Sequence, residues 1–228
     1  MKISPAFTLA EVLITLGIVG VVAALTLPAL INNTQHKELQ TALNKNYSIL
    51  QQALLSMSKD NGDSIKPTTY DGMSFINNLK KHVNYIKFCA NRSCVDYENK
   101  PDNDSNPYYI KNYRIYNKSK NISTIFFDDG QLILNDGSLI MVEHFSGSDY
   151  LYITVDVNGF NKRPNTWGHD LFTFQLTDDG KLLPMGAEGT DYYKKESSYC
   201  SVNSNNSLNG IACTNNAIND NNYWKNLP

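Results

Sequence analysis

The sequence predicts an α+β protein: a long N-terminal helix, membrane-spanning in its first half and amphipathic in its second, packed on an antiparallel β-sheet. Three observations lead there. Residues Phe7 to Ile31 carry a single charge, Glu11, and no Asn, Gln, Lys or Arg. Beyond them, Leu39, Leu43, Tyr47, Leu50, Leu54 and Met57 recur at steps of three and four, which is one apolar stripe on a helix. From Gln131 onward the pattern turns to short apolar runs separated by Asp-Gly turns, the signature of hairpins.

The first element, residues 7–31, is long enough to cross a bilayer, which takes about 20 apolar residues at roughly 1.5 Å each. A carboxylate inside such a run costs a few kcal/mol unless it is paired, so Glu11 calls for a partner or a functional reason. Pro28 removes a backbone donor and should bend the helix near that point. A secretory signal peptide would take Lys2 as its basic region and residues 12–25 as its apolar core. Glu11 ahead of that core and the lack of an Ala-x-Ala site argue against one.

At Ala6-Phe7-Thr8-Leu9-Ala10-Glu11 the sequence resembles the type IV prepilin and type II secretion pseudopilin family, whose pattern is a short basic leader, a small residue, then Phe-Thr-Leu-x-Glu and an apolar helix. The resemblance implies a leader of residues 1–6, cleavage between Ala6 and Phe7 by a prepilin peptidase, and N-methylation of Phe7. The family usually has Gly where this chain has Ala6. The resemblance further implies that Glu11 steers subunit addition and that other pilin or pseudopilin subunits are the partners. The precursor would be a single-pass inner-membrane protein with its C-terminal domain outside the cytoplasm, and the assembled filament would be periplasmic or at the cell surface. A buried Glu11 seeks a cation, and the amino terminus of a neighbouring subunit's Phe7, or its own amino terminus, would be one. The fold it implies is pilin-like.

The second helix half, residues 32–59, carries the stripe from Leu39 to Met57, and Gly62 is the candidate for the left-handed position that ends it. Residues 60–124 form a variable region: Phe75, Ile76, Leu79, Val83 and Ile86 suggest a short helix ending before Cys89. Asn99 to Pro107 reads as a loop, and Tyr108 to Ile110 with Tyr113 to Tyr116 as a strand or clasp. Residues 125–185 form the sheet. Its four or five strands are 131–135 and 138–143 around Asp136-Gly137, then 150–157, 171–176 and 181–183, with Phe172, Phe174 and Leu176 on one face toward the stripe. Residues 186–228 are polar, held mainly by a Cys200–Cys213 bridge with Trp224 as an anchor.

The four cysteines permit three connectivities. Local closure, Cys89 with Cys94 and Cys200 with Cys213, is the simplest in an oxidising compartment. Zinc held with His82 or His169 is the rival reading, but no C-x-x-C is present. A formal net charge of −2 gives no support for a nucleic-acid surface. Within the loop from Asp156 to Asp170, the side chains of Asp156, Asn158 and Asp170 could offer oxygens to calcium. Phe160 and Lys162 occupy positions where an EF-hand has ligands, so a turn capped by Asp and Asn side chains is the simpler reading. No cofactor is expected. His144, Ser146, Ser148 and Asp149 cluster in sequence, yet no Gly-x-Ser-x-Gly, phosphate loop or His-Glu-x-x-His is present, so an enzyme is not expected. The sequence thus points to a structural filament subunit, the alternative being a membrane-anchored extracytoplasmic binding domain that does not polymerise.

Overall fold

The structure, a computed structural model, describes residues 8–70, 73–90, 93–95, 113–123, 127, 129–144 and 149–228. The loop expected from Asn99 to Pro107 and the segment Tyr108 to Ile110 lie outside the described residues. Two compact units are present, residues 1–38 and 39–228.

Helix α1 runs Leu9–Asn61 and continues through Pro28. In the first unit its apolar side chains are bare: Leu13, Ile14, Leu16, Ile18 and Val19 are each at least 60% exposed. An 18-residue window of mean hydropathy 2.4 makes the helix long and apolar enough to cross a membrane. In the second unit the same helix changes character. Leu39, Leu43, Leu50, Leu54 and Met57 are buried in one core with Tyr47 packed against it, as the spacing requires. Gly62 follows the helix with φ of 72°, the left-handed turn that closes a helix end.

The sheet has six antiparallel strands in chain order. They are β1 (Tyr85–Cys89), β2 (Gln131–Leu134), β3 (Leu139–Glu143), β4 (Leu151–Asp156), β5 (Leu171–Leu176) and β6 (Leu182–Pro184). The β2–β3 turn is the expected Asp136-Gly137, and it docks on α1. Lys45 reaches Asp136 at 2.8 Å, and Ser138 Oγ donates to Asn46 Oδ1 at 3.0 Å.

One element differs from the expectation. Helix α2 stops at Leu79 (Ser74–Leu79), and Ile86 belongs to strand β1. The reason is visible in burial: Phe75, Ile76 and Leu79 are buried, but Ile86 is 68% exposed and does not continue that face. The aromatic and β-branched run from Tyr85 instead pairs with β2, Cys89 opposite Gln131.

Both faces of the sheet are covered. On the α1 side Ile140, Val142, Ile153, Val155, Phe172, Phe174 and Leu176 join the helix stripe. Tyr47 stacks on Phe174 at 4.8 Å and donates its hydroxyl to the Leu182 carbonyl. On the other side Leu139, Met141, Tyr152 and Leu171 meet Tyr113, Ile115, Phe127, Trp167, Met185 and Ile211. Polar strand positions on that side therefore face a core. Thr154 and Thr173 bond at 2.9 Å, and the Trp167 indole N–H donates to Thr173 at 3.1 Å.

The C-terminal region is held by far more than its disulfide. Trp224 is buried against Phe172 and donates to the Ala217 carbonyl at 2.8 Å. The Tyr223 hydroxyl donates to the Gly168 carbonyl at 2.6 Å, and Thr214 Oγ1 accepts the Thr173 amide at 3.0 Å. Helices α3 (Glu196–Tyr199) and α4 (Thr214–Asn219) frame it.

Candidate functional site

Ala6 and Phe7 lie outside the described residues. Glu11 sits in the first turn of α1, and Thr8 precedes that helix. The Thr8 amide donates to Glu11 Oε2 at 2.7 Å and the Thr8 hydroxyl to the same oxygen at 2.8 Å, while the Glu11 amide donates to Thr8 Oγ1 at 3.2 Å. This is a reciprocal capping box, in which side chains at the start of a helix satisfy amides the helix cannot. The carboxylate on the otherwise apolar first half of α1 is thus bound within its own turn. The Thr-x-x-Glu spacing was readable from the sequence but lay inside a motif that drew attention to the Glu alone.

The loop between β4 and β5 brings Asp156 and Asp170 together beneath its turns. Asp156 Oδ1 accepts the amides of Gly159 at 2.8 Å and Asn158 at 3.3 Å, and its Oδ2 accepts the Tyr113 hydroxyl. Asp170 accepts the amides of Asn165 and Thr166, each at 2.7 Å. Both carboxylates are fully buried. The Asn158 amide nitrogen donates to the Arg163 carbonyl at 3.1 Å. The side-chain oxygens of Asn158 and Asn165 are buried and accept no hydrogen bond among the described residues. Gly159 is required here, since a Cβ at its φ of 83° would lie 2.2 Å from the Gly137 carbonyl oxygen of the β2–β3 turn. Tyr113, Asn165 and Thr166 are partners the sequence reading missed. Tyr113 lies 43 positions from Asp156, and nothing in its neighbourhood marks it.

The bonds seen are those of a capped loop. Among the described residues no group of three or more His, Cys, Asp or Glu side chains is placed to hold a metal. Burial raises the Asp156 carboxyl above the usual carboxylate range, with the Asp170 charge adding to it, and burial raises Asp170 as well. A carboxyl raised by folding binds its proton more tightly in the folded state than in the unfolded one. Its contribution to stability is full below the unfolded value near 4 and is lost as pH rises through the folded value. Melting of the full chain in detergent should therefore come several degrees lower at pH 8 than at pH 5. Each unit of raised pKa is worth about 1.4 kcal/mol, and each kcal/mol moves a chain of this size by about 2–4 °C. Asp156→Asn, which keeps an oxygen for the two amides, should flatten that slope, and an unchanged slope would place the titrating groups elsewhere. Calcium and a chelator should give coincident melts. A calcium-dependent rise that Asp170→Ala removes would make the loop a ligand site.

The other candidates fall as follows. Cys89–Cys94 and Cys200–Cys213 are disulfides, with Cα atoms 5.3 and 5.0 Å apart, and no cysteine is free. Zinc held by cysteine is thereby overturned. His169 bonds the Tyr116 carbonyl at 3.0 Å, and His82 bonds Ser56 Oγ at 2.9 Å. His144 is buried, and neither ring nitrogen has a partner among the described residues. Ser146 and Ser148 lie outside the described residues, and Asp149 is exposed.

The model of one family, described as a family of unknown function (DUF6613), matches residues 29–227. No curated protein and no solved structure matches the chain.

Proposed function

The chain belongs to that family of unknown function, DUF6613, and we propose that it is a filament subunit of the pilin or pseudopilin kind, packed through α1 after cleavage before Phe7. The observation that carries this reading is the bare apolar half of α1, opened by the Thr8–Glu11 box and continuous with the helix that underlies the sheet. Such a face needs lipid or other helices around it. The first suits a precursor held in the inner membrane, the second a subunit withdrawn from it into a filament. The family match begins at residue 29 and leaves the Phe7–Glu11 motif to be judged on its own residues.

The capping box bears on both states. Two donors from Thr8 lower the cost of placing the Glu11 carboxylate in lipid. In a packed filament the amino terminus of a neighbouring Phe7 would add the missing positive charge. A prepilin peptidase that also methylates, and other subunits of the same kind, are the partners this reading requires. Intact mass of the membrane-extracted protein tests it. The expected result is loss of residues 1–6, with one added methyl on Phe7. A chain that keeps Met1 to Ala6 in the presence of the matching peptidase would instead favour an anchored binding domain that does not polymerise.

A further inference from the structure

The surface charge of the unit 39–228 is divided along the direction of β4 and β5. These strands run antiparallel, with Leu151 opposite Leu176 at one end and Asp156 opposite Leu171 at the other. The first end gathers acid. Asp149 precedes β4, Asp178 and Asp179 follow β5, and Glu188 and Asp191 follow β6, all five exposed. They line a groove of about 660 Å³ in which, among the described residues, Lys181 is the one cation, and it is held by Asp179. Lys195 comes near, but its ammonium donates to the Asp191 carbonyl at 2.8 Å.

The second end is basic. Its two loop carboxylates, Asp156 and Asp170, are buried, whereas Lys162 and Arg163 are exposed on the turn above them. Exposed Arg114 lies alongside, its amide bonded to the Asn165 carbonyl and its carbonyl to the Trp167 amide, each at 2.9 Å. None of the three cations forms an ion pair among the described residues. Six-residue strands separate the two ends by roughly 20 Å. The net charge of −2 therefore comes from two segregated patches as well as from mixed charge.

We infer that these ends dock on one another in successive copies of the chain: the Lys162–Arg163 turn of one copy, with Arg114, seats in the acidic groove of the next. The occupant is a second copy because both halves of the complementary pair lie on the same body. Such a contact is heterologous. Each pairing leaves one basic and one acidic end open, so association continues as a chain instead of closing as a dimer. Exposed charges of this kind set register and encounter rate, and salt screens them over about 8 Å at physiological strength. The contact deepens the filament reading, on which it rests for the choice of a second copy, by naming the domain surfaces that meet.

The test is zero-length crosslinking of lysine amines to carboxylates in membranes holding the full chain. The parent should give a ladder of dimers, trimers and higher species. Lys162→Glu with Arg163→Glu, or Asp178→Lys with Glu188→Lys, should each lower the ladder about tenfold. All four changes in one chain should recover part of it, since positions 162 and 163 are then acidic where 178 and 188 have become basic, while Arg114, Asp149, Asp179 and Asp191 keep their charges. The substituted residues are exposed, and unchanged melting of each variant separates lost contact from lost folding. A ladder untouched by either reversal, a ladder that ends at dimers, or a combined variant that fails to recover overturns the contact. So does a turn that binds only anionic vesicles, or a groove that takes only a basic peptide, with the ladder absent in the parent. Leader cleavage and sheared filaments are scored separately. A retained leader with the charge exchange intact would sink the filament reading alone, and filaments with an unaffected ladder would sink the contact alone.

Discussion

On the proposed filament reading, Glu11→Ala is expected to lower entry of the subunit into filaments by about two to four orders of magnitude, with membrane insertion and domain melting unchanged. Removing one member of a buried charge pair costs about 3–5 kcal/mol, and each 1.4 kcal/mol is about tenfold. The loss falls on the assembled state, where a neighbouring amine would be left buried without its carboxylate. Among the described residues of the single chain Glu11 is bound by Thr8 of its own turn, so outside a filament alanine removes a helix cap. Thr8→Val separates the two roles. It deletes the hydroxyl but keeps the amide that donates to Glu11 at 2.7 Å, so its effect on assembly should be far smaller. The measurement is the ratio of variant to parent in sheared filaments when both are made together. Equal incorporation would count against a docking role for Glu11.

The second large effect is in the core. Phe174→Ala should destabilise the domain by about 3–5 kcal/mol, the range for emptying a buried aromatic site. Phe174 is fully buried. It sits in the middle of β5, opposite Ile153 and Pro184, and stacks on Tyr47 of α1. Its removal leaves a void where the helix stripe, β4 and the edge strand β6 meet. Leu55→Ala, on an α1 residue that is 72% exposed, should stay within about 0.5 kcal/mol of the parent. Denaturant unfolding with both disulfides intact distinguishes them. Comparable losses in the two variants would mean the stripe does not carry the packing.

How far the sequence could be read follows from which signals are local. The stripe from Leu39 to Met57 and the Asp136-Gly137 hairpin declare themselves within a few residues, through helical spacing and a turn that needs positive φ, and both stand in the structure. The second face of the sheet does not declare itself. Tyr113, Phe127, Trp167 and Ile211 come from four separate segments with no shared period, so their meeting under the sheet is a property of topology. The same holds at the Asp156–Asp170 loop. Its two carboxylates and turn residues could be picked out by composition, whereas Tyr113 could not. β1 was missed because Val83 and Ile86 continue a helical spacing that the chain leaves after Leu79. Only pairing with β2 and the Cys89–Cys94 bridge settle that segment as a strand. For Glu11 the spacing to Thr8 was sufficient, and the apolar surroundings concealed a familiar helix start.

The chain-order meander has a consequence for how the domain is made. Each strand from β2 to β6 pairs with the one before it in the chain, so a chain delivered N-terminus first can close each hairpin within microseconds of its arrival. The sheet can therefore be complete once Pro184 has emerged, with the earlier-made stripe of α1 already against it. What stays open is the Phe172 surface and the Gly168 carbonyl, which wait for Trp224 and Tyr223. A nascent chain stalled inside the C-terminal region would thus present a finished sheet with a sticky patch. Arrival of Tyr223 and Trp224, not formation of the last strand, is the event that covers that patch.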